Sequence, residues 1–67
     1  GRFTINLGES FSETTVTITN MLGQVVSTLN FKNSQLLDIE INGTTGIYLA
    51  NVKTIDGKQA TIKIAKH

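Results

Sequence analysis

The feature that most constrains this chain is a two-residue alternation of apolar and polar side chains, carried largely by β-branched residues. Thr, Ile and Val supply 22 of the 67 residues, and Ala only 3. That balance favours strands over helices. Six segments show it. Phe3, Ile5 and Leu7 share one face, with Thr4 and Asn6 opposite. Val16 and Ile18 alternate with Thr15, Thr17 and Thr19. In residues 24–31, Val25, Leu29 and Phe31 share a face with Ser27, and Val26 points the other way. Leu37, Ile39 and Ile41 alternate with Leu36, Asp38 and Glu40. Residues 47–54 are apolar on both faces, which predicts the most buried strand, with Tyr48, Ala50 and Val52 toward the core. Ala60, Ile62 and Ile64 alternate with Thr61, Lys63 and Ala65.

Turn chemistry separates the segments. Asn20-Met21-Leu22-Gly23 predicts a hairpin loop with a left-handed Gly23 and a bulge. Asp56-Gly57 predicts a tight hairpin. Gly43 and Gly46 bracket a longer turn, and Gly23, Gly46 and Gly57 read as positions needing positive φ. Residues 8–13 and 32–35 read as polar loops, the first carrying an exposed Phe11. Residues 34–37 are compatible with a helical turn, but no 3.6-residue period follows. The fold class predicted is all-β: an antiparallel Ig-like β-sandwich of about six to seven short strands in a single domain over residues 1–67.

A domain this small buries only about 60% of the surface its unfolded chain exposes. The chain has no Cys to staple it. Ile, Leu, Val and Phe, at 21 residues, are too many for a disordered chain. No run approaches the roughly 18 apolar residues of a membrane span, and no signal peptide opens the chain.

Net charge is +1, too small to argue for nucleic acid. Its distribution is uneven. Residues 53–67 hold Lys53, Lys58, Lys63 and Lys66 against Asp56, a net of +3. Residues 1–52 hold Arg2 and Lys32 against Glu9, Glu13, Asp38 and Glu40, a net of −2. A lysine-bearing strand edge that discourages edge-to-edge pairing is the ordinary reading, and partner docking the rival one.

The chain offers no catalytic constellation. Its single His is His67, the last residue, native or tag-derived, so no His-based triad or dyad is available. Asp38 and Glu40 lie on one strand face but lack a third ligand for calcium. No metal site, cofactor, phosphate cradle or small-molecule substrate is expected. Asn42-Gly43-Thr44 matches a glycosylation acceptor by pattern only. Trp is absent, and Tyr48 reads as a core residue with its hydroxyl at the edge, so sugar stacking is weakly supported.

Taken in order, several stretches resemble one known family. They are Gly1-Arg2-Phe3-Thr4-Ile5, Val16-Thr17-Ile18-Thr19-Asn20-Met21-Leu22-Gly23-Gln24-Val25-Val26, Gly46-Ile47-Tyr48-Leu49-Ala50-Asn51-Val52, Asp56-Gly57-Lys58 and Ile62-Lys63-Ile64-Ala65-Lys66. Together they are similar to the type A C-terminal sorting domain of the type IX (Por) secretion system of Bacteroidetes. The resemblance covers essentially the whole chain. It implies an Ig-like β-sandwich and a non-enzymatic signal that directs an attached cargo across the outer membrane and is then usually cleaved off. It implies transit of the periplasm and a secreted or cell-surface destination. The implied partners are the outer-membrane translocon, its shuttle protein and a sortase-like peptidase.

The family pattern places the recognition signal on Gly46 and Tyr48 and on the terminal strand, here Lys58, Ile62, Lys63, Ile64 and Lys66. On physical grounds Tyr48, Ile62 and Ile64 read first as core, and only Lys63 and Lys66 as free to meet a receptor. Family members usually carry an Asn-Pro stretch before the first strand, and this chain, which has no Pro, starts after that point. The expectation is either a first-strand region trimmed upstream or a form released by processing there. A small sandwich with an unpaired edge also invites homodimerisation by strand pairing or swapping. The rival readings are an Ig-like or fibronectin-like adhesive or carbohydrate-binding module, and a spacer within a larger enzyme.

Overall fold

The computed structural model describes residues 2–41 and 43–66. Gly1, the glycosylation-pattern residue Asn42 and His67 lie outside the described residues. Four strands form one antiparallel sheet: β1 (Arg2–Asn20), β2 (Val25–Glu40), β3 (Gly46–Thr54) and β4 (Gln59–Lys66). Their order is β2-β1-β3-β4. The all-β, antiparallel expectation holds, but the six alternating segments are gathered into four strands. The predicted loops at residues 8–13 and 32–35 are strand, and so are residues 34–37.

The physical reason is a bend rather than a break. A straight strand of 19 residues would run roughly 60 Å at about 3.3 Å per residue. The longest dimension of the domain is 31 Å. The β1–β2 hairpin therefore folds sharply along its length. Between the pairs Asn6↔Leu36 and Phe11↔Ser34, residues 7–10 of β1 face residue 35 alone on β2. Gly8 takes a φ of 83°, which a side chain would oppose, and Asn33 on the facing strand takes 50°. Asn6 holds the corner. Its Oδ1 accepts from the Gly8 backbone N–H at 2.9 Å and from Gln35 Nε2 at 3.2 Å.

The bend builds the core. It brings Ile5, Leu37, Ile39 and Ile41 into one cluster with Val16, Ile18, Tyr48, Ala50 and Val52. Across the sheet, Val16 stands between Leu29 and Val52, and Ala50 between Ile18 and Ile62. β3 is the most enclosed strand, with Lys53 its one exposed residue. Thr14 and Thr54 close one end of the interior as buried polar residues. The opposite face is polar, with Thr15 Oγ1 donating to Asn30 Oδ1 at 3.0 Å and Asn51 Nδ2 to Thr61 Oγ1 at 3.2 Å.

Two placements differ from the alternation. Ile18 pairs with Ser27 and Thr19 with Val25, so Val26 is an extra residue in β2. This bulge moves Val25 off the face of Leu29 and Phe31 and leaves it 62% exposed. Phe11, expected to be exposed, is half-buried, because the corner turns it toward the body.

Candidate recognition site

No group of metal-ligating side chains gathers among the described residues. Asp38 accepts from Thr4 Oγ1 at 2.8 Å, and Glu40 meets Arg2 at 3.4 Å on the exposed face of the bent hairpin. Tyr48 is 5% exposed and offers no ring to a sugar. The residues that the family pattern singles out lie on β3, on β4 and in the turn between them.

At one end lies the β3–β4 hairpin. Gly57 N donates to Thr54 O at 3.0 Å, and Thr54 N to Lys58 O at 2.9 Å. The φ of Gly57 is 93°. The Thr54 hydroxyl donates to Asp56 and, with the Lys58 backbone N–H and ammonium, holds the Asp56 carboxyl below the usual carboxylate range. Lys58 Nζ lies 3.7 Å from Asp56 Oδ2, an exposed pair worth little in stability.

At the other end, four of the singled-out residues meet. Tyr48 packs its ring in the core and donates its hydroxyl to Thr44 O at 2.6 Å. Lys66 Nζ donates to Gly43 O, also at 2.6 Å. Gly46 pairs with Lys66 across the β3–β4 ladder. Lys66, expected from the sequence to be free to meet a receptor, ties the end of β4 to the connection before β3 through this bond.

Gly43 is needed for closeness rather than for positive φ. A Cβ built there would sit 2.9 Å from Tyr48 Oη. We expect Gly43→Ala to lower stability by about 1–2 kcal/mol, the cost of overpacking where the Tyr48 hydroxyl must shift away from Thr44 to make room. In a domain of this size that is a fall of roughly 5–15 °C in Tm. In a Tyr48→Phe background, which removes the obstructing oxygen, the same substitution is expected to cost less. Thermal unfolding of the four proteins of this double-mutant cycle checks it, and strict additivity contradicts it.

The terminal strand alternates as expected but is less enclosed. Ile62 and Ile64 are half-buried and pack against the core rather than within it. The reason is position: among the described residues β4 is the last strand of the sheet, with β3 on one side and no strand on the other. Lys63 is exposed and makes no ion pair among the described residues. Because Asn20 pairs with Tyr48, the turn carrying Gly23 lies at the same end of the sheet as Gly46 and Lys66, and Gly57 at the opposite end. Gly23 has a φ of 85°, and Asn20 Oδ1 braces its turn by accepting from the backbone of Leu22 and Gln24 at 3.0 and 3.1 Å. That turn exposes Met21 and Leu22, at 63% and 84%, which the sequence reading had treated only as turn positions.

No curated protein and no solved structure matches the chain. A family model does, over residues 1–67, and its description is a secretion system C-terminal sorting domain. With that match running the full length of an all-β chain, the chain belongs to the family of secretion system C-terminal sorting domains.

Proposed function

We propose that this domain is a non-enzymatic type IX sorting signal, read through β4 and the connection that Tyr48 and Lys66 hold against it. The observation that carries the reading is the family match along the whole chain. Its family is a sorting-signal family, not an enzyme family. The attached cargo reaches the cell surface or the medium by way of the periplasm. The outer-membrane translocon and its shuttle protein receive the folded domain, and a sortase-like peptidase removes it afterwards.

Within this reading the seven signal residues divide by role. Lys63 faces the receptor. Ile62, Ile64 and Tyr48 keep the strand in place from the core side. Gly46, Lys58 and Lys66 set the two ends of the β3–β4 hairpin. The bent β1–β2 hairpin, packed on the inner face of β3, is compatible with an Ig-like sandwich, and we retain that architecture as the setting for recognition.

The experiment fuses these 67 residues behind a signal peptide and a fluorescent reporter in a bacterium with a working type IX system. The expected result is reporter at the surface or in the medium, dependent on the translocon. Reporter held in the periplasm overturns the reading.

A further inference from the structure

Among the described residues the sheet leaves three backbone edges open: the outer side of β2, the outer side of β4, and residues 2–6 of β1. They are not equivalent. β2 is interrupted by the Val26 bulge, by Asn33 at a φ of 50° and by the corner. Such irregularities blunt an edge against pairing. The β1 stretch is short. β4 alone runs undisturbed. All its residues pair with β3 in one register, from Lys53↔Gln59 to Gly46↔Lys66. It holds no bulge, no proline and no positive φ.

The two faces beside that edge differ in chemistry. On the inner face, Ala60 is exposed, and Ile62 and Ile64 are only half covered. A largely apolar groove of about 140 Å³, lined by Leu7, Phe11, Val52 and Ala60 with Lys58 beside them, opens there. It has several times the roughly 30 Å³ of a water molecule. On the outer face stand Lys63 and, on the neighbouring strand, Lys53, both exposed. Among residues 46–66 the only carboxylate is Asp56, and Lys58 already faces it.

We propose that the outer edge of β4 takes up a partner strand in which apolar and acidic residues alternate. The backbone of the partner pairs with β4, as in other strand-addition complexes. Its apolar residues complete the cover over Ile62 and Ile64 and enter the groove. Its acidic residues fall on the other face, beside Lys63. Opposite charges across neighbouring strands stabilise the pair, and like charges oppose it. The same lysine works against a second copy of this chain on the edge. The proposal rests on the sorting reading for its biological setting, but the binding itself is testable apart from it.

The test uses the 67-residue chain and a blocked synthetic peptide of alternating valine and glutamate, matched to the length of β4. Two companions carry lysine in place of glutamate, or N-methyl groups on alternate amides. Binding is followed by amide chemical shifts and hydrogen exchange. The expected footprint is residues 59–66. The lysine peptide is expected to bind about tenfold more weakly, and added salt to narrow that gap. The N-methylated peptide is expected not to bind, and Lys63→Glu to reverse the preference between the charged peptides.

No binding at millimolar peptide, equal binding of both charged peptides, binding of the N-methylated peptide, or a footprint on β2 or residues 21–24 overturns the proposal. A dimer of the chain through β4 also overturns it, since the edge then belongs to a second copy. The reporter fusion is run in parallel. Export without peptide binding removes the edge proposal and leaves the sorting reading standing. Peptide binding without export does the reverse.

Discussion

Replacing Leu37 with alanine is expected to destabilise this domain by about 3 kcal/mol, while the same change at its neighbour Leu36 shifts stability by less than about 0.5 kcal/mol. The two residues are chemically identical and adjacent, so the contrast isolates their faces. Leu37 is 0% exposed, inside the cluster that joins the bent hairpin to β3. Leu36 is 59% exposed and paired with Asn6 at the corner. A domain of 67 residues has a total stability on the order of 3–10 kcal/mol. Leu37→Ala therefore removes a large share of it, and at the lower end leaves much of the chain unfolded. Urea midpoints of the two variants measure the difference. The reverse order, with Leu36→Ala the costlier, would mean that β2 is registered one residue away from the pairing Ile5↔Leu37, because such a slip exchanges the two leucines between core and solvent. Equal losses would contradict the burial contrast itself.

That contrast was legible in the chain before any fold was known. Strand side chains alternate strictly, so Leu37, Ile39, Val16, Ile18, Ala50 and Val52 declare a common face by spacing alone. The burial of Tyr48 with its hydroxyl at the edge follows from the same logic, since a phenol in a core needs a partner for its oxygen.

The misreadings arose where local polarity and tertiary geometry part. Residues 8–13 and 32–35 are polar and hold a glycine or an asparagine, which is how a loop reads. Here those residues are the corner of one continuous hairpin, and only the compactness of the folded domain demands it. A bulge such as that at Val26 changes the face of Val25 without altering composition. The tie between Lys66 and Gly43 spans 23 positions and depends on the reach of a lysine stem, which no periodicity encodes. Gly43 reads from the sequence as one bracket of a longer turn, yet what a side chain there would meet is the Tyr48 hydroxyl, already committed to Thr44. The candidate surface was thus visible as a set of residues, but not as two groups at opposite ends of a hairpin.

Deleting residues 62–67 is expected to abolish export of an attached cargo. The deletion removes the pairings of Ile62, Lys63, Ile64, Ala65 and Lys66 with β3 and leaves those of Gln59, Ala60 and Thr61. It also uncovers Tyr48 on the side of Ile64 and releases the connection held at Gly43 O. Loss of export alone therefore has two physical causes, a missing recognition strand and a weakened fold. Circular dichroism of the purified deletion separates them. If the shortened domain keeps its β signature and its cargo is still exported normally, recognition does not run through β4. If it unfolds, the decision passes to Lys63→Glu in the full chain. That substitution sits on an exposed side chain, keeps every pair of the ladder and is expected to change stability by less than about 0.5 kcal/mol. Its expected effect is a fall in export of about tenfold, the size of effect a reversed interfacial charge produces. Unchanged export of the folded Lys63→Glu protein would leave the receptor reading something other than the charge of the terminal strand.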